Sequence, residues 1–266
     1  MSFAIIKNIC KGLKIYPQVR SLNRIIRDRA DYKRYCEDLM FFSKMINEND
    51  LVFDVGANYG IKSEVFLKLG AKVIAFEPQR DCYLELLSRI GHKKKLVALN
   101  TALGSRVSKE TLYVRSHRGS SGLVKNWGEK IENTIEVTVS TLDNMIDLYG
   151  IPKYCKIDVE GYEFEVLSGL VKYQIPLISV EYHLKYQEDI AKVKKILKKF
   201  ASSKILLNIT PAETLRFAFK EWVDVNTFIN IFDNYLNLFD GYVYGDLFIK
   251  VLTEKDLYTA PLQAAE

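Results

Sequence analysis

The chain has 266 residues, 48% of them hydrophobic and 27% charged, enough to bury the core of one large α/β domain and too ordinary for wholesale disorder. Its net charge of +5 is mildly basic and does not by itself imply nucleic acid. The four cysteines (Cys10, Cys36, Cys82 and Cys155) are scattered without a C-x-x-C pair, which argues against a disulfide framework or a zinc site and suits free thiols in a reducing compartment.

Residues 1–48 read as a helical N-terminal extension. Ile5, Ile6, Ile9, Cys10 and Leu13 lie at helical spacing, and Pro17 ends that helix. Further helical spacing runs over 20–46, ending in Leu39, Met40, Phe42, Met45 and Ile46. Over residues 1–35 the basic side chains, from Lys7 to Arg34, are opposed only by Asp28 and Asp31. Such a basic amphipathic segment suits peripheral contact with the inner face of a membrane. The plainer reading, a solvated helix packed on the main domain, is preferred. No apolar run approaches the ~20 residues that span a bilayer. No signal-peptide core stands at the N-terminus, so the expected location is cytoplasmic.

A core domain is expected over 49–254, with a tail over 255–266. It opens on an apolar strand, Leu51 to Val55, that carries one acid, Asp54. Gly56 opens a tight turn, Gly60 closes it, and Ile61, Val65, Phe66 and Leu69 then set one face of a helix. A second strand, Lys72 to Phe76, ends on Glu77, which stands 21 positions after Gly56. An acid about 20 residues beyond a glycine turn is where a ribose diol is held in nucleotide-binding βαβ units. The turn has Asn58 where the middle glycine of G-x-G-x-x-G would stand, which weakens the case for NAD or FAD. Asp54 and Asn58 suit a cofactor with an amino-acid end, namely S-adenosyl-L-methionine. The plain alternative is a structural turn with no ligand.

Strand–helix alternation continues through 79–90 and Leu96–Leu99 to Asn100-Thr-Ala102. Residues 105–140 break it: Thr111–Arg115 and Thr134–Val139 read as an antiparallel excursion. The small residues of His117 to Gly122 between them suit a lid or a plain hairpin loop. A short helix over Thr141–Leu148 follows, then a strand from Tyr154 to Asp158, a helix over Glu163–Leu170 and a strand from Leu177 that leads into Glu181-Tyr-His183. The helix of 188–200 turns five lysines toward solvent. Strands over 204–209 and 246–252, with a helix over 228–238 between them, complete the domain.

In an open parallel sheet, ligands bind beyond the carboxyl ends of the strands. Those ends hold Asp54 to Gly60, Glu77, Asn100 to Ala102, Asp158 to Gly161 and Glu181 to His183. Polar residues at every end of otherwise apolar strands point to one site. Methyl transfer to a hydroxyl requires close alignment and a group to take the proton. His183 is the natural base, with Asp158 or Glu181 to orient it and Glu160 nearby. Carboxylates and an imidazole also suit Mg²⁺ or Mn²⁺, but the ligand spacing is not diagnostic and no metal is predicted.

These segments resemble the FkbM family of S-adenosylmethionine-dependent methyltransferases. The resemblance runs from about Asp50 to His183 and rests on Phe53 to Gly60, Ala75 to Pro78, Asn100 to Gly104, Ser120-Ser121, Thr141-Leu-Asp143, Lys156 to Gly161 and Glu181-Tyr-His183. It implies a Rossmann-like, seven-stranded, mostly parallel sheet with an antiparallel last strand and helices on both faces. It implies the cofactor's methionine end at Asp54, Gly56, Asn58 and Gly60, its ribose at Glu77, and its adenine near Asn100 and Ala102, with Asp158 alongside. It implies an O-methyltransferase for a hydroxyl of a glycan, sugar or related metabolite, in line with polysaccharide biosynthesis. The alternatives are a nucleic-acid methyltransferase and a non-catalytic, membrane-associated protein that retains the fold. Against the former, Asp158-Val-Glu-Gly stands where an Asn/Asp-Pro-Pro-aromatic or Pro-Cys turn would be, and its acids would repel phosphate.

Overall fold

The computed structural model describes residues 31–252 apart from 117, 128–129, 185–186, 202, 213 and 239–242. The basic segment of residues 1–30, His117 and the tail of 255–266 therefore lie outside the described residues. The main sheet is built from β1 (Leu51–Val55), β2 (Lys72–Phe76), β3 (Leu96–Leu99), β7 (Tyr154–Ile157), β8 (Leu177–Leu184), β9 (Ile205–Pro211) and β10 (Val243–Val251). Their order across the sheet is β3-β2-β1-β7-β8-β10-β9. All are parallel except β10, which runs antiparallel to both β8 and β9. This is a Rossmann-like sheet whose strand order reverses between β1 and β7, and a crevice opens at such a switch point.

Alternation along the strands divides the core. Phe53, Val55, Ile74, Phe76, Cys155, Ile157, Ile178 and Val180 face one layer. Helices α4 (Leu142–Tyr149), α5 (Glu163–Ser168), α6 (Gln187–Lys198) and α7 (Val225–Leu238) cover it. Val52, Val73, Ala75, Tyr154, Leu177 and Phe248 face the other layer. It is covered by α1 (31–42), α2 (Ile61–Lys68) and α3 (Arg80–Ile90). The α1 helix is built into this layer. Phe42 meets Phe66 edge-on at 5.0 Å, and Phe41 meets Phe248 at 5.7 Å. Asp38, 1% exposed, forms an ion pair with Lys62. Ile61, on the helix face read with Val65 and Phe66, is 49% exposed, and Met40 of α1 is 63% exposed. On α2 the buried positions are Ser63, Val65 and Phe66.

A second, three-stranded sheet stands over the crevice. It consists of β4 (Ala102–Leu103), β5 (Ser108–Arg115) and β6 (Ile131–Ser140) in the order β4-β6-β5. The expected antiparallel excursion is the β5–β6 pair. Ala102 belongs to this sheet through its pairing with Val139, not to the main one. Thr141, in the 141–143 segment, caps α4 by accepting from the Asn144 amide at 3.1 Å. Asp143 accepts from the Val171 and Lys172 amides, tying α4 to the turn after α5. No helix among the described residues is long and apolar enough to cross a membrane.

Candidate functional site

The turn after β1 is shaped by close backbone approach. Gly56 has φ +82°, and a Cβ there would stand 1.8 Å from the Asp158 carbonyl oxygen, so only glycine fits. The Gly56 and Ala57 amides both donate to the Phe76 carbonyl, which ties the turn to the end of β2. Asn58 takes a left-handed conformation, φ +49°, which asparagine tolerates. Its amide donates to Glu77 Oε2 at 2.8 Å, and the Gln79 amide donates to Glu77 Oε1 at 2.7 Å. Burial raises the Glu77 carboxyl to about 7, although both amides pull it down. Asp54 Oδ2 accepts from Ser63 Oγ at 2.6 Å. Burial raises its pKa too, opposed by Lys156 and by the Ser63 hydroxyl.

Two cavities meet on this turn and share Gly56, Asn58 and Asp158. A slot of ≈ 110 Å³ runs between Phe76, Glu77, Gln79, Thr101, Ala102, Leu103 and Leu123. A wider cavity of ≈ 770 Å³ lies between the turn and α1, walled by Tyr32, Tyr35, Asp54, Lys62 and Lys156. Buried acceptors Asp54 Oδ1, Asn58 Oδ1 and Gln79 Oε1 make no hydrogen bond around them. An orphaned buried acceptor costs free energy unless a donor reaches it, so these walls are built for a donor-rich guest.

The roof of the slot is the β5–β6 hairpin, through Gly119, Ser121, Gly122 and Leu123. What holds it is Arg115, only 1% exposed at the end of β5. Its Nη1 donates to the Tyr113 and Ser120 carbonyls at 3.1 Å, and its Nη2 donates to the Val124 carbonyl at 2.6 Å. Removing it would take these hydrogen bonds from the loop. Arg115→Ala is expected to cost about 2–4 kcal/mol in urea unfolding and to expose the 119–125 amides to hydrogen exchange. Unchanged protection of those amides would show that the guanidinium does not organise the roof.

A second set of groups gathers at the ends of β7 and β8. Lys156 Nζ donates to Asp158 Oδ2 at 2.6 Å. Burial raises the Asp158 carboxyl, but Lys156 and a hydrogen bond with Glu181 outweigh it and hold the group below its usual range. The turn then passes through Glu160, φ +58°, and Gly161, φ +95°. A Cβ on Gly161 would stand 2.7 Å from the Trp127 ring. Trp127 Nε1 donates to Glu160 Oε2 at 2.8 Å. Buried Glu163 accepts from the Val159 and Gly161 amides and fixes this turn from below. Glu181 and His183 lie inside β8, not beyond its end: the strand runs to Leu184, and the two polar side chains alternate with buried Tyr182 and Leu184. Glu181 and His183 line a third cavity of ≈ 240 Å³ with Trp127, Phe164, Lys192 and Lys195. The Trp127 and His183 rings meet edge-on at 4.9 Å. Nearby, Lys192 lies over Trp127 and Lys195 over Phe164, so the lysine face of α6 is not wholly given to solvent.

Of the residues singled out from the sequence, Gly56, Asn58, Glu77, Ala102, Asp158 and Glu160 line the slot, and Asp54 lines the wider cavity. Two stand behind the walls. Gly60, φ +77°, packs on Leu86 and Ile90 of α3. Asn100 donates to the Glu77 and Pro78 carbonyls at 2.8 and 2.9 Å, so it holds the acid's backbone and does not face the slot. Arg115, Trp127, Gln79 and Glu163 had no sequence signal: a lone arginine at a strand end or a tryptophan in a loop carries no spacing to read.

Fold and crevice together define a Rossmann-like protein with two cavities at the switch point of its sheet. Residues 54–206 match the family model described as the Methyltransferase FkbM domain. That span is more than half of the chain, and the chain belongs to the FkbM methyltransferase family. A curated relative, the hexuronic acid methyltransferase AglP of Haloferax volcanii, is 26% identical over 171 residues, covering 62% of this chain and 69% of that protein. Among solved structures, Trm5b of Pyrococcus abyssi aligns with a TM-score of 0.45 at 12% identity, covering 83% of this chain and 49% of that one. Fibrillarin of Aeropyrum pernix, solved with natively bound S-adenosyl-L-methionine, aligns with a TM-score of 0.44 at 6% identity, covering 76% of this chain and 68% of that one.

Proposed function

We propose that this chain is an S-adenosyl-L-methionine-dependent O-methyltransferase that acts on a hydroxyl of a sugar or glycan. The observation that carries the reading is the ring of buried acceptors at the switch point: Asp54 Oδ1, Asn58 Oδ1, Gln79 Oε1 and the Glu77 carboxylate. The proposed cofactor presents donors of the matching kinds, namely an ammonium, two ribose hydroxyls and an adenine amino group. It supplies an electrophilic methyl group on a sulfonium. Asp54 and Asn58 would hold the amino-acid end, Glu77 the ribose, and Gln79 with Ala102 and Leu123 the base. Family membership and the name of the Haloferax relative support a sugar acceptor. The acids Asp158, Glu160 and Glu181 disfavour a phosphate-rich one.

The chain's part in the transfer is alignment, exclusion of water and removal of the hydroxyl proton. Leu123 and the hairpin roof close the slot, and Asp158 borders both the slot and the wider cavity. In this reading the hydroxyl proton passes to Glu160, which lines the slot, or to Glu181 or His183, which line the third cavity.

Glu77→Ala is expected to weaken S-adenosylhomocysteine binding about 10²-fold by calorimetry, because two charge-assisted hydrogen bonds are lost. Unchanged affinity would remove the ribose role. The pH dependence has a definite sign. Ribose hydroxyls donate best to an ionised carboxylate, so wild-type affinity should rise as pH passes upward through about 7, and Glu77→Gln should flatten that rise. Without ligand the sign is opposite for stability: a carboxyl raised by folding stabilises below its unfolded value, and that contribution fades as pH climbs through about 7. Incubation with tritiated S-adenosylmethionine and cell-wall, lipopolysaccharide or nucleotide-sugar fractions tests the acceptor. Label that enters only RNA or DNA would overturn it.

A further inference from the structure

We infer that Glu160, Glu181 and His183 form a binding site for one divalent cation of the Mn²⁺ or Mg²⁺ class. One ligand atom from each of the three side chains can be chosen so that all lie within 4.8 Å of one another. His183 Nε2 stands 2.9 Å from Glu181 Oε2. Two ligands at right angles on an ion with bonds of about 2.1 Å are about 3.0 Å apart, so this pair already has the spacing of adjacent ligands. Glu181 Oε2 is wholly buried and faces the His183 imidazole nitrogen, so a carboxyl oxygen and a ring nitrogen are aimed at one point of the cluster.

Three carboxyl groups, those of Asp158, Glu160 and Glu181, gather at this corner of the fold, and Lys156 is paired with Asp158. The supporting groups are in place as well. Trp127 fixes Glu160 through its Oε2, leaving Oε1 for a ligand role, and the Trp127 ring edge positions the His183 imidazole. One imidazole and two carboxylates, with room for water in the adjoining cavity, suit a hard, octahedral ion and not the thiolate-rich sites of zinc ribbons.

The inference is independent of methyl transfer, because binding can be read without cofactor or acceptor. The full chain, stripped with EDTA, is titrated with Mn²⁺ while the electron paramagnetic resonance signal of free hexaaqua Mn²⁺ is followed. One Mn²⁺ should be taken up per chain, in competition with Mg²⁺. Glu181→Gln and His183→Gln should each weaken uptake at least about tenfold, while the surface variant Asp147→Asn should not. Circular dichroism and thermal unfolding of the same variants show whether they are folded. A second readout needs no site variant: Mn²⁺ should quench Trp127 fluorescence in a Trp222→Phe background. No uptake up to about 1 mM Mn²⁺, well above the micromolar range of ordinary carboxylate sites, would overturn the assignment. So would uptake unchanged in both folded variants, or the absence of Trp127 quenching.

Discussion

Gly56→Ala should abolish cofactor binding and lower the stability of the whole domain. The two effects share one cause. Gly56 holds φ +82°, which costs an L-residue about 1–3 kcal/mol. Its added methyl would stand 1.8 Å from the Asp158 carbonyl oxygen, a backbone atom in the turn after β7 that cannot swing aside. Parting β1 from that turn should cost about as much again, for a total near 2–6 kcal/mol. The same displacement pulls Asn58 and Glu77 out of register, because the Asn58 amide bonds to the Glu77 carboxylate. Chemical unfolding with calorimetry on the same samples checks this. A variant of wild-type stability that still binds S-adenosylhomocysteine would show that the turn has slack the structure does not display.

His183→Ala should leave cofactor affinity intact and slow turnover by about 10²- to 10⁴-fold, the usual worth of a positioned proton-transfer group. The separation follows from geometry. His183 is on β8 with Trp127 and Tyr244 against its ring, and it lines the cavity beyond Asp158, not the slot that holds Glu77. The loss should appear whether the imidazole takes the proton itself or holds a cation that does the same work by polarising the hydroxyl. Mn²⁺ uptake by the variant separates the two cases. Turnover at the wild-type rate would move the chemistry to the carboxylates alone.

Much of this arrangement was legible in the sequence because its signals are local. An apolar run, a glycine corner and a helical repeat stand in that order from Leu51 to Leu69. The acid that follows ends a second apolar run, so β1, α2, β2 and Glu77 could be placed by spacing alone. The end of β8 was harder. Glu181 and His183 look like the close of a strand, yet Tyr182 and Leu184 continue its buried alternation. Motif residues also mislead in one consistent way. Asn100 and Asp143 stand in segments that carry the family resemblance, but their side chains serve backbone amides and carbonyls. Sequence spacing finds residues that are needed without saying whether a ligand or the fold needs them. The roof was not legible at all, because three of the four carbonyls that Arg115 gathers, those of Ser120, Val124 and Lys125, come from a loop whose path only the folded chain defines.

The place of β10 bears on how the molecule is made. It is wedged between β8 and β9, with Asp246 opposite Glu181 and Tyr244 opposite His183. Until these last residues are made, one edge of β8 and the whole of β9 lack their ladder partners, and both core layers lack the side chains of Leu247, Phe248 and Ile249. The sheet is therefore closed by nearly the last part of the described chain, and its two halves become one only when that strand slides in.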